Sequence, residues 1–372
     1  MVIPPVWKCA FYRFILSFQA TKPKRMKRLT LCSLFLFGLL FLSGAQTAQY
    51  AVVRQNGTTF ICPSWDSAYA VALDGDYIYL PAVYLSGPIT VDKRLFIYGA
   101  GFYPDSTSAT GHSYVNSHIY VLGGASNGRL EGVRTGSQIY LGGANKLTNY
   151  TITNCHIGGT LVFSGDYVDT LPEFISVLQS IIGTHCTSEL SAGAKNNYFA
   201  KNIFRNGLSN FDNCTFVNNL FLQNTLYLGC YINNSVFANN IFLHENPFYH
   251  TSCLNNCNNA FYNNLKYLTD VFIIYNCSNA AEEGNISVGN IDSIFVSYVA
   301  PYGYADDMHL KPTCSGNDAG TDGTDVGIYG TNNPTPEGWV PSNPHIYFKQ
   351  IDGETGSDGT LHIRVGVRTE DD

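Results

Sequence analysis

Between Asn196 and Asn290 the chain alternates asparagine with single large apolar residues. The phrase returns as Asn202-Ile-Phe204-Arg-Asn206, Asn213-Cys-Thr-Phe216-Val-Asn218, Asn234-Ser-Val-Phe237-Ala-Asn239 and Asn259-Ala-Phe261-Tyr-Asn263. Apart from the Asn213 copy, which falls between two others, the spacing is in the low twenties, the mark of a stacked repeat. Each phrase is too short for a helix. Asparagine competes for backbone hydrogen bonds and favours turns and left-handed positions, while the Phe, Ile, Val, Leu and Tyr between suit strands. Each repeat therefore reads as a short strand, a turn and another short strand. Strands this short bury nothing alone, but coil on coil every inward side chain gains a like neighbour above and below. Inward Phe, Ile and Val would build an apolar column, and turn asparagines would ladder from coil to coil, satisfying the turn backbone. The pattern predicts an all-β parallel β-helix. Asn fills 24 of the 95 positions, so a disordered low-complexity tract is the alternative; the interleaved aromatic and β-branched residues oppose it.

In chain order, Lys22, Lys24, Arg25, Lys27 and Arg28 precede an apolar run from Leu29 to Leu42, then Ser43-Gly44-Ala45. That is the grammar of a signal peptide, and the run is short for a membrane span. Cleavage is expected between Ala45 and Gln46, with the bond after Ala48 second. Residues 1–45 are thus a leader, with Met26 the expected true start. Cys32 opens the apolar run rather than following it, so a lipoprotein anchor is not indicated. Residues 46–76 read as an N-terminal cap, with Ser64 capping a short helix that reaches Leu73. Next come Asp74-Gly-Asp76-Tyr-Ile-Tyr-Leu-Pro81, Tyr84, and Ile89 through Gly101 ending in Gly-Ala-Gly. Residues 77–330 form the solenoid, interrupted by a loop at Ser164–Glu173. Asp306-Asp-Met-His-Leu-Lys-Pro and the Asp-x-Gly phrases from Asp318 to Gly330 close it. Residues 331–344 carry four prolines and read as a linker. Residues 345–372 alternate around Gly353–Gly359 as a β-hairpin, or the start of a truncated β-domain.

The opening phrase "Gly-Asp, strand, Pro, Tyr, strand, Lys, strand, Gly-x-Gly" and the closing "His-Leu-x-Pro … Asp-x-Gly … Tyr" resemble secreted right-handed parallel β-helix proteins of the pectate-lyase-like superfamily. The glycine that the superfamily commonly places before that tyrosine is Val83 here. The resemblance covers roughly residues 60–330 and implies a right-handed coil. It does not fix activity, because the superfamily holds lyases, hydrolases, epimerases and adhesins. The asparagine-rich style with this leader is also similar to secreted proteins of gut or oral Bacteroidetes.

Charge is scarce: 13% of residues, with a formal net charge of −7. No basic face is visible, so nucleic acid is not an expected partner. Once the leader is removed, nine cysteines remain: Cys62, Cys155, Cys186, Cys214, Cys230, Cys253, Cys257, Cys277 and Cys314. An odd number cannot all pair within the chain. Cys253-x-x-x-Cys257 with His250 suggests metal ligation, but no second close pair follows. Cys155, Cys214, Cys257 and Cys277 each follow an asparagine, as buried ladder residues would.

A β-helix lyase needs a cation or basic groups beside a uronate carboxylate and a base for its α-proton. A hydrolase needs two carboxylates across a groove. Such groups should recur about one coil apart, and they do not. Lys201 and Arg205 are the basic candidates. Asp166 and Asp169, with Glu173, share one loop that can face a groove, solvated loop charge being the alternative. Asp318, Asp322 and Asp325, interleaved with glycines, can hold Ca2+ or simply build turns. The expected function is an exported, extracellular or cell-surface β-helix that binds a polysaccharide or host glycan, or serves as an adhesin-like surface protein, without catalysis. The alternative is a polysaccharide lyase or glycoside hydrolase.

Overall fold

The computed structural model describes residues 48–222, 228–243, 258–267, 280–342, 344–355 and 359–368. The leader with Ala45 and Gln46, and Cys253, Cys257, Cys277 and His250, lie outside the described residues. The molecule is a parallel β-solenoid whose coils have three faces. Face A stacks Tyr77–Tyr79, Phe96–Tyr98, Arg129–Glu131, Thr151–Thr153, Ser176–Leu178, Tyr198–Ala200, Thr215–Val217, Val236–Ala238, Ala260–Tyr262 and Ala281–Glu283. Face B stacks ten strands from Tyr84–Leu85 to Ile286–Val288, among them His156–Ile157, Ile203–Phe204, Leu220–Phe221 and Ile241–Phe242. Face C runs through Ile89–Val91, Ile119–Val121, Ile139–Gly143, Thr160–Gly165, His185–Ser188 and Gly207–Asp212 to Leu228–Asn233.

The inward side chains form the columns that the strand pattern predicts. Phe199, Phe216, Phe237 and Phe261 stack at centroid separations of 4.7, 4.6 and 5.1 Å. Phe204, Phe221 and Phe242 form a second stack at 4.8 and 4.7 Å. All seven rings are fully buried. At these spacings each ring adds contact with its neighbours beyond the burial of its own surface.

The corner between faces A and B is held by a ladder of buried asparagines. Asn219 is typical. Its Oδ1 accepts from the amide of Asn202 at 2.9 Å and from Asn202 Nδ2 at 3.0 Å. Its Nδ2 donates to Phe199 O at 2.9 Å and to Asn240 Oδ1 at 3.0 Å, and its own amide donates to Asn240 Oδ1 at 2.8 Å. Asn240, Asn264 and Asn285 continue the pattern. Ser180 occupies the same column below Asn202 and accepts from the amide of Cys155 at 3.1 Å. Beside this ladder runs a column of left-handed residues: Asn154, Gln179, Lys201, Asn218, Asn239 and Asn263, with φ between 42° and 57°. A second left-handed column (Asn127, Asn149, Phe174, Asn196, Asn213, Asn234 and Asn258) precedes the face-A strands from Arg129–Glu131 to Ala260–Tyr262. Asparagine tolerates this conformation better than other side chains, so each phrase needs one asparagine for geometry and another for hydrogen bonding.

This assigns the repeat phrases differently from the sequence reading. Asn213-Cys-Thr-Phe216 pairs in register with Asn234-Ser-Val-Phe237 and with Asn196-Asn-Tyr-Phe199 on face A. Asn202-Ile-Phe204 belongs to face B. The Asn213 copy is therefore a full coil, only 17 residues after its predecessor (Tyr198 to Thr215). From the first residue of a face-A strand to the first of the next face-B strand is five positions every time from Thr151 onward: 151 to 156, 176 to 181, 198 to 203, 215 to 220, 236 to 241, 260 to 265 and 281 to 286.

The N-terminal cap holds the expected helix, Trp65–Val71, with Ser64 at its N-cap accepting from the Ser67 amide. It also holds a hairpin, Tyr50–Val53 with Thr59–Cys62, laid antiparallel on the first face-A strand. At the other end the solenoid strands stop at Val288, and residues 291–342 return along the outside of face B. Ile294, Phe295, Tyr302, Met308, Val326, Ile328 and Trp339 cluster with the outward Ile181, Ile203, Leu220, Ile241 and Leu265. Polar rivets fix this strap coil by coil: Asn263 to Ala319 O, Asn239 to Thr321, Asn218 to Gly327 O, and Ser342 to the buried Glu131. The proline-rich stretch read as a linker is thus part of a packed cover, with Thr335, Trp339 and Val340 buried. The hairpin is His345–Ile351 with Ile363–Arg368. Cys62, Cys155, Cys186, Cys214 and Cys314 are free and buried. Burial pushes the Cys155 and Cys214 thiols up to about 12.

Replacing Asn219 by Ala strips partners from the Asn202 amide, Asn202 Nδ2 and Phe199 O. Unpaired buried groups cost about 1–3 kcal/mol each, so Asn219→Ala should destabilise by about 2–4 kcal/mol after partial relaxation. Urea denaturation of the two proteins checks this; a loss under about 0.5 kcal/mol, the level of an ordinary surface change, contradicts the ladder's role.

Candidate functional site

The predicted site residues divide between two corners and a strap. Lys201 and Arg205 bracket the Ile203–Phe204 strand of face B. Lys201 Nζ donates to Asn333 O and so ties down the strap. Arg205 lies at the corner where face B turns to face C, its amide bonded to Ile182 O. Below it in the same column are Gly183 and Gly158, whose amides bond Ile157 O and Thr135 O.

Arg205 has company that the sequence reading missed. His156 is buried on the outward side of face B, and its register partner in the preceding coil is Arg134. His156 Nδ1 and the Tyr304 hydroxyl are hydrogen-bonded. The strap residue Tyr304 and Phe102 pack edge-on against the imidazole at 5.6 and 5.9 Å. Burial first, and then the charges of Arg134 and Arg205, hold the His156 imidazole down at about 3, so it is neutral. Burial pushes the Tyr304 phenol up to about 12 against the pull of the same arginines. Neither guanidinium meets a carboxylate among the described residues, and Arg134 lies over the Tyr114 ring at 5.4 Å. The signal for this cluster was hidden, because Tyr304 joins it from 148 residues downstream.

Asp166 and Asp169 sit in the loop that follows the face-C strand Thr160–Gly165. Arg205 precedes the matching strand Gly207–Asp212. A six-residue strand spans roughly 20 Å at about 3.3 Å per residue. The acids and the arginine thus border opposite edges of face C, too far apart to act on one glycosidic bond, where paired carboxyls stand roughly 5–10 Å apart. The loop presents Tyr167, Val168 and Phe174 to solvent, with Tyr167 73% exposed. It folds over Gly142 (φ 92°), where a Cβ would meet Pro172 Cγ at 2.9 Å.

Among the described residues no strap crosses face C. Its outward column runs Thr90, Tyr120, Tyr140, Val162, Thr187 and Ser209. Tyr120 and Tyr140 stack at 5.2 Å and 10°, with His118 edge-on to both at 5.9 and 5.6 Å. Ser137 Oγ holds His118 Nδ1 at 2.9 Å, and Tyr140 donates to Gln138 Oε1. Further along, Ser209 Oγ meets Thr187 Oγ1 at 2.8 Å and His185 Nε2 at 3.0 Å. No position of this column is a carboxylate. The tyrosine pair was legible as Ser117-His-Ile-Tyr-Val and Ser137-Gln-Ile-Tyr-Leu, one coil apart.

The three strap aspartates do not converge. Asp322 Oδ1 accepts from the Thr324 amide and hydroxyl, and Asp325 Oδ1 accepts from the Asp318 amide at 3.0 Å. No cluster of metal-ligating side chains occurs among the described residues, and no helix among them is long and apolar enough to cross a membrane. The chain matches no protein-family model, no curated protein sequence and no solved structure.

The His156 geometry carries a pH dependence. Its folded pKa lies far below the ordinary imidazole value of 6.5. Between the two values the unfolded chain binds the extra proton, so stability rises with pH there. Stability should therefore fall as pH drops from about 6.5 toward about 3, and His156→Phe should flatten that slope relative to the wild type. Thermal melts across this range check it; parallel slopes in both proteins contradict it.

Proposed function

We propose that this chain is an exported, extracellular or cell-surface right-handed β-helix, of the pectate-lyase-like kind, that binds a polysaccharide or surface glycan without cleaving it. The observation that carries the reading is face C. Among the described residues no strap crosses it, and it presents a stacked tyrosine pair beside histidine, amide and hydroxyl groups. Aromatic planes suit the apolar faces of sugar rings, and amides and hydroxyls suit their alcohols. The flanking loop adds Tyr167 and Phe174. The sequence supports export through its basic, apolar and small-residue leader. Against catalysis stands the separation of Asp166 and Asp169 from Arg205.

A lyase is the second reading, favoured by one observation: Arg205 and Arg134 flank a neutral imidazole and a phenol, groups that can neutralise a uronate and take a proton. The strap's cover over His156 weighs against it.

The mature chain from Gln46 should be retained on one member of an immobilised panel of pectins, alginate, glycosaminoglycans and mucin glycans, with no unsaturated product in ultraviolet absorbance. Tyr120→Ala and Tyr140→Ala should each weaken that retention about tenfold, a loss of about 1.4 kcal/mol per ring. Absorbance that grows with time and vanishes in Arg205→Ala would overturn the binding reading in favour of the lyase. Retention indifferent to both tyrosines would remove face C as its seat.

A further inference from the structure

On face C, beyond the tyrosine pair, Ser209 Oγ lies 3.0 Å from His185 Nε2. The contact runs diagonally between adjacent coils. In register, His185 faces Gly207 and Thr187 faces Ser209. Gly207 has no side chain, so the imidazole can lean across it to the serine two positions on. The ladder to the following coil shifts its register between Leu208 and Ser209, and such irregularities re-aim a side chain. Asn210, next in the chain, is left-handed at φ 62°. His185, Thr187 and Ser209 are each half-buried, so the group keeps one side open to solvent.

Two features set this contact apart from a plain hydroxyl ladder. Burial holds the His185 imidazole below its ordinary value, so it is neutral at neutral pH. A neutral imidazole has one bare nitrogen, and a bare Nε2 against a serine hydroxyl pairs a general base with a nucleophile. The second feature is a spare donor. Thr187 Oγ1 stands 2.8 Å from Ser209 Oγ and donates to Ser188 O at 3.0 Å. Ser188 O has another donor in Asn210 Nδ2, at 2.8 Å. The Thr187 hydrogen can therefore turn to a new acceptor beside Ser209 without orphaning that carbonyl. The other serine–histidine contact of face C, Ser137 with His118 Nδ1, has its imidazole edge-on against Tyr120 and Tyr140 and no second hydroxyl bonded to the serine oxygen among the described residues.

We infer that Ser209 and His185 form a nucleophile–base dyad that hydrolyses carboxylic esters, with the O-acyl groups of glycans as the substrate class. Ser209 Oγ attacks the ester carbonyl carbon as its proton passes to His185 Nε2. The Thr187 hydroxyl donates to the oxygen on which charge develops. The carbon–oxygen bond to the sugar then breaks, and His185 gives its proton to the leaving sugar oxygen. Water, losing a proton to His185, attacks the acyl-serine, releases the carboxylic acid and restores Ser209. No carboxylate pairs with His185 among the described residues. The imidazolium is therefore unassisted, and the dyad suits esters, whose alcohol leaves more readily than an amide nitrogen. The outward column reads Tyr140, Val162, Thr187, Ser209, which sets the serine about 14 Å from the tyrosine pair at about 4.8 Å per coil. An oligosaccharide held on those rings spans that distance. The ester chemistry stands without the glycan-binding reading; the choice of a sugar ester rests on it, and the glycosidic bonds stay uncut.

The test gives the full chain p-nitrophenyl acetate, acetylated xylan, acetylated pectin and O-acetylated mucin, and scores nitrophenolate and released acetate. Nitrophenolate should appear with a burst stoichiometric with the chain, and a fluorophosphonate probe should label Ser209 in peptide mass spectrometry. Ser209→Ala and His185→Gln should each lower turnover about a hundredfold, and Thr187→Val about tenfold. His362→Ala, in the hairpin, should leave it unchanged. Circular dichroism verifies the fold of each variant, and Ser209→Cys, which keeps a nucleophile of similar size, should retain the burst. Absence of turnover in the wild type, or of label on Ser209, overturns the inference. So does turnover that survives Ser209→Ala, the mark of ester hydrolysis by exposed imidazoles alone. Turnover of p-nitrophenyl acetate with no acetate from any glycan keeps the dyad and removes the sugar ester as its substrate. Ester turnover by a chain that no glycan of the panel retains would sink the binding reading and leave the dyad standing.

Discussion

Everything in this solenoid depends on giving each corner amide an acceptor in the next coil. Strands of two and three residues make few ladder bonds, and the tight A–B corner turns its backbone inward, where water does not reach. Asn219, Asn240 and Asn264, flanked by Asn202 and Asn285, solve this by acting as extra backbone: each side-chain carbonyl takes two donors from the coil below, and each side-chain amide gives two hydrogens away. Glutamine would reach too far and aspartate would lack the donors. Once the corner is fixed, the phenylalanines have no choice but to fall in register. The order of causation runs from hydrogen bonding to packing, although packing supplies most of the energy.

Face B shows what happens when a strand is apolar on both sides. Ile203 points out while Phe204 points in, and likewise Leu220 with Phe221 and Ile241 with Phe242. An outward isoleucine column in water would invite association. The strap answers it within the chain, and the left-handed asparagines that shape the corner also hold the strap through their side chains. Toward the N-terminus the same outward column changes to His156, Arg134 and Tyr114, and the cover there is aromatic rather than aliphatic. One column thus serves as core at one end and as a polar nest at the other.

The parallel coil, its capping helix and its C-terminal hairpin were legible in the sequence because they rest on local signals: asparagine spacing, strand-forming residues, Ser64 before an apolar run, and alternation around glycines. The phrase register was not, because Asn-x-Phe recurs on two faces and a one-dimensional reading merges them. Attending to the paired apolar residues in Asn-Ile-Phe and Asn-Leu-Phe would have separated the faces, since two adjacent buried positions need cover on both sides. The strap was read as closing coil and linker, because His-Leu-x-Pro and the prolines say "end" without saying where the end lies. The His156 cluster joins residues that are 148 positions apart; no periodicity reports such a meeting.

From Thr151 onward the constant five-position step from face A to face B contrasts with the distance between successive face-A strands, which there ranges from 17 residues (Tyr198 to Thr215) to 25 (Thr151 to Ser176). The chain is therefore built like a spiral stair with one rigid newel and treads of free length. Along that stretch variation enters only on the flank away from the newel, where the Tyr167 loop and face C lie. A lineage can lengthen, shorten or replace those outer segments without disturbing the hydrogen-bonded post, so recognition and stability are free to change on separate schedules.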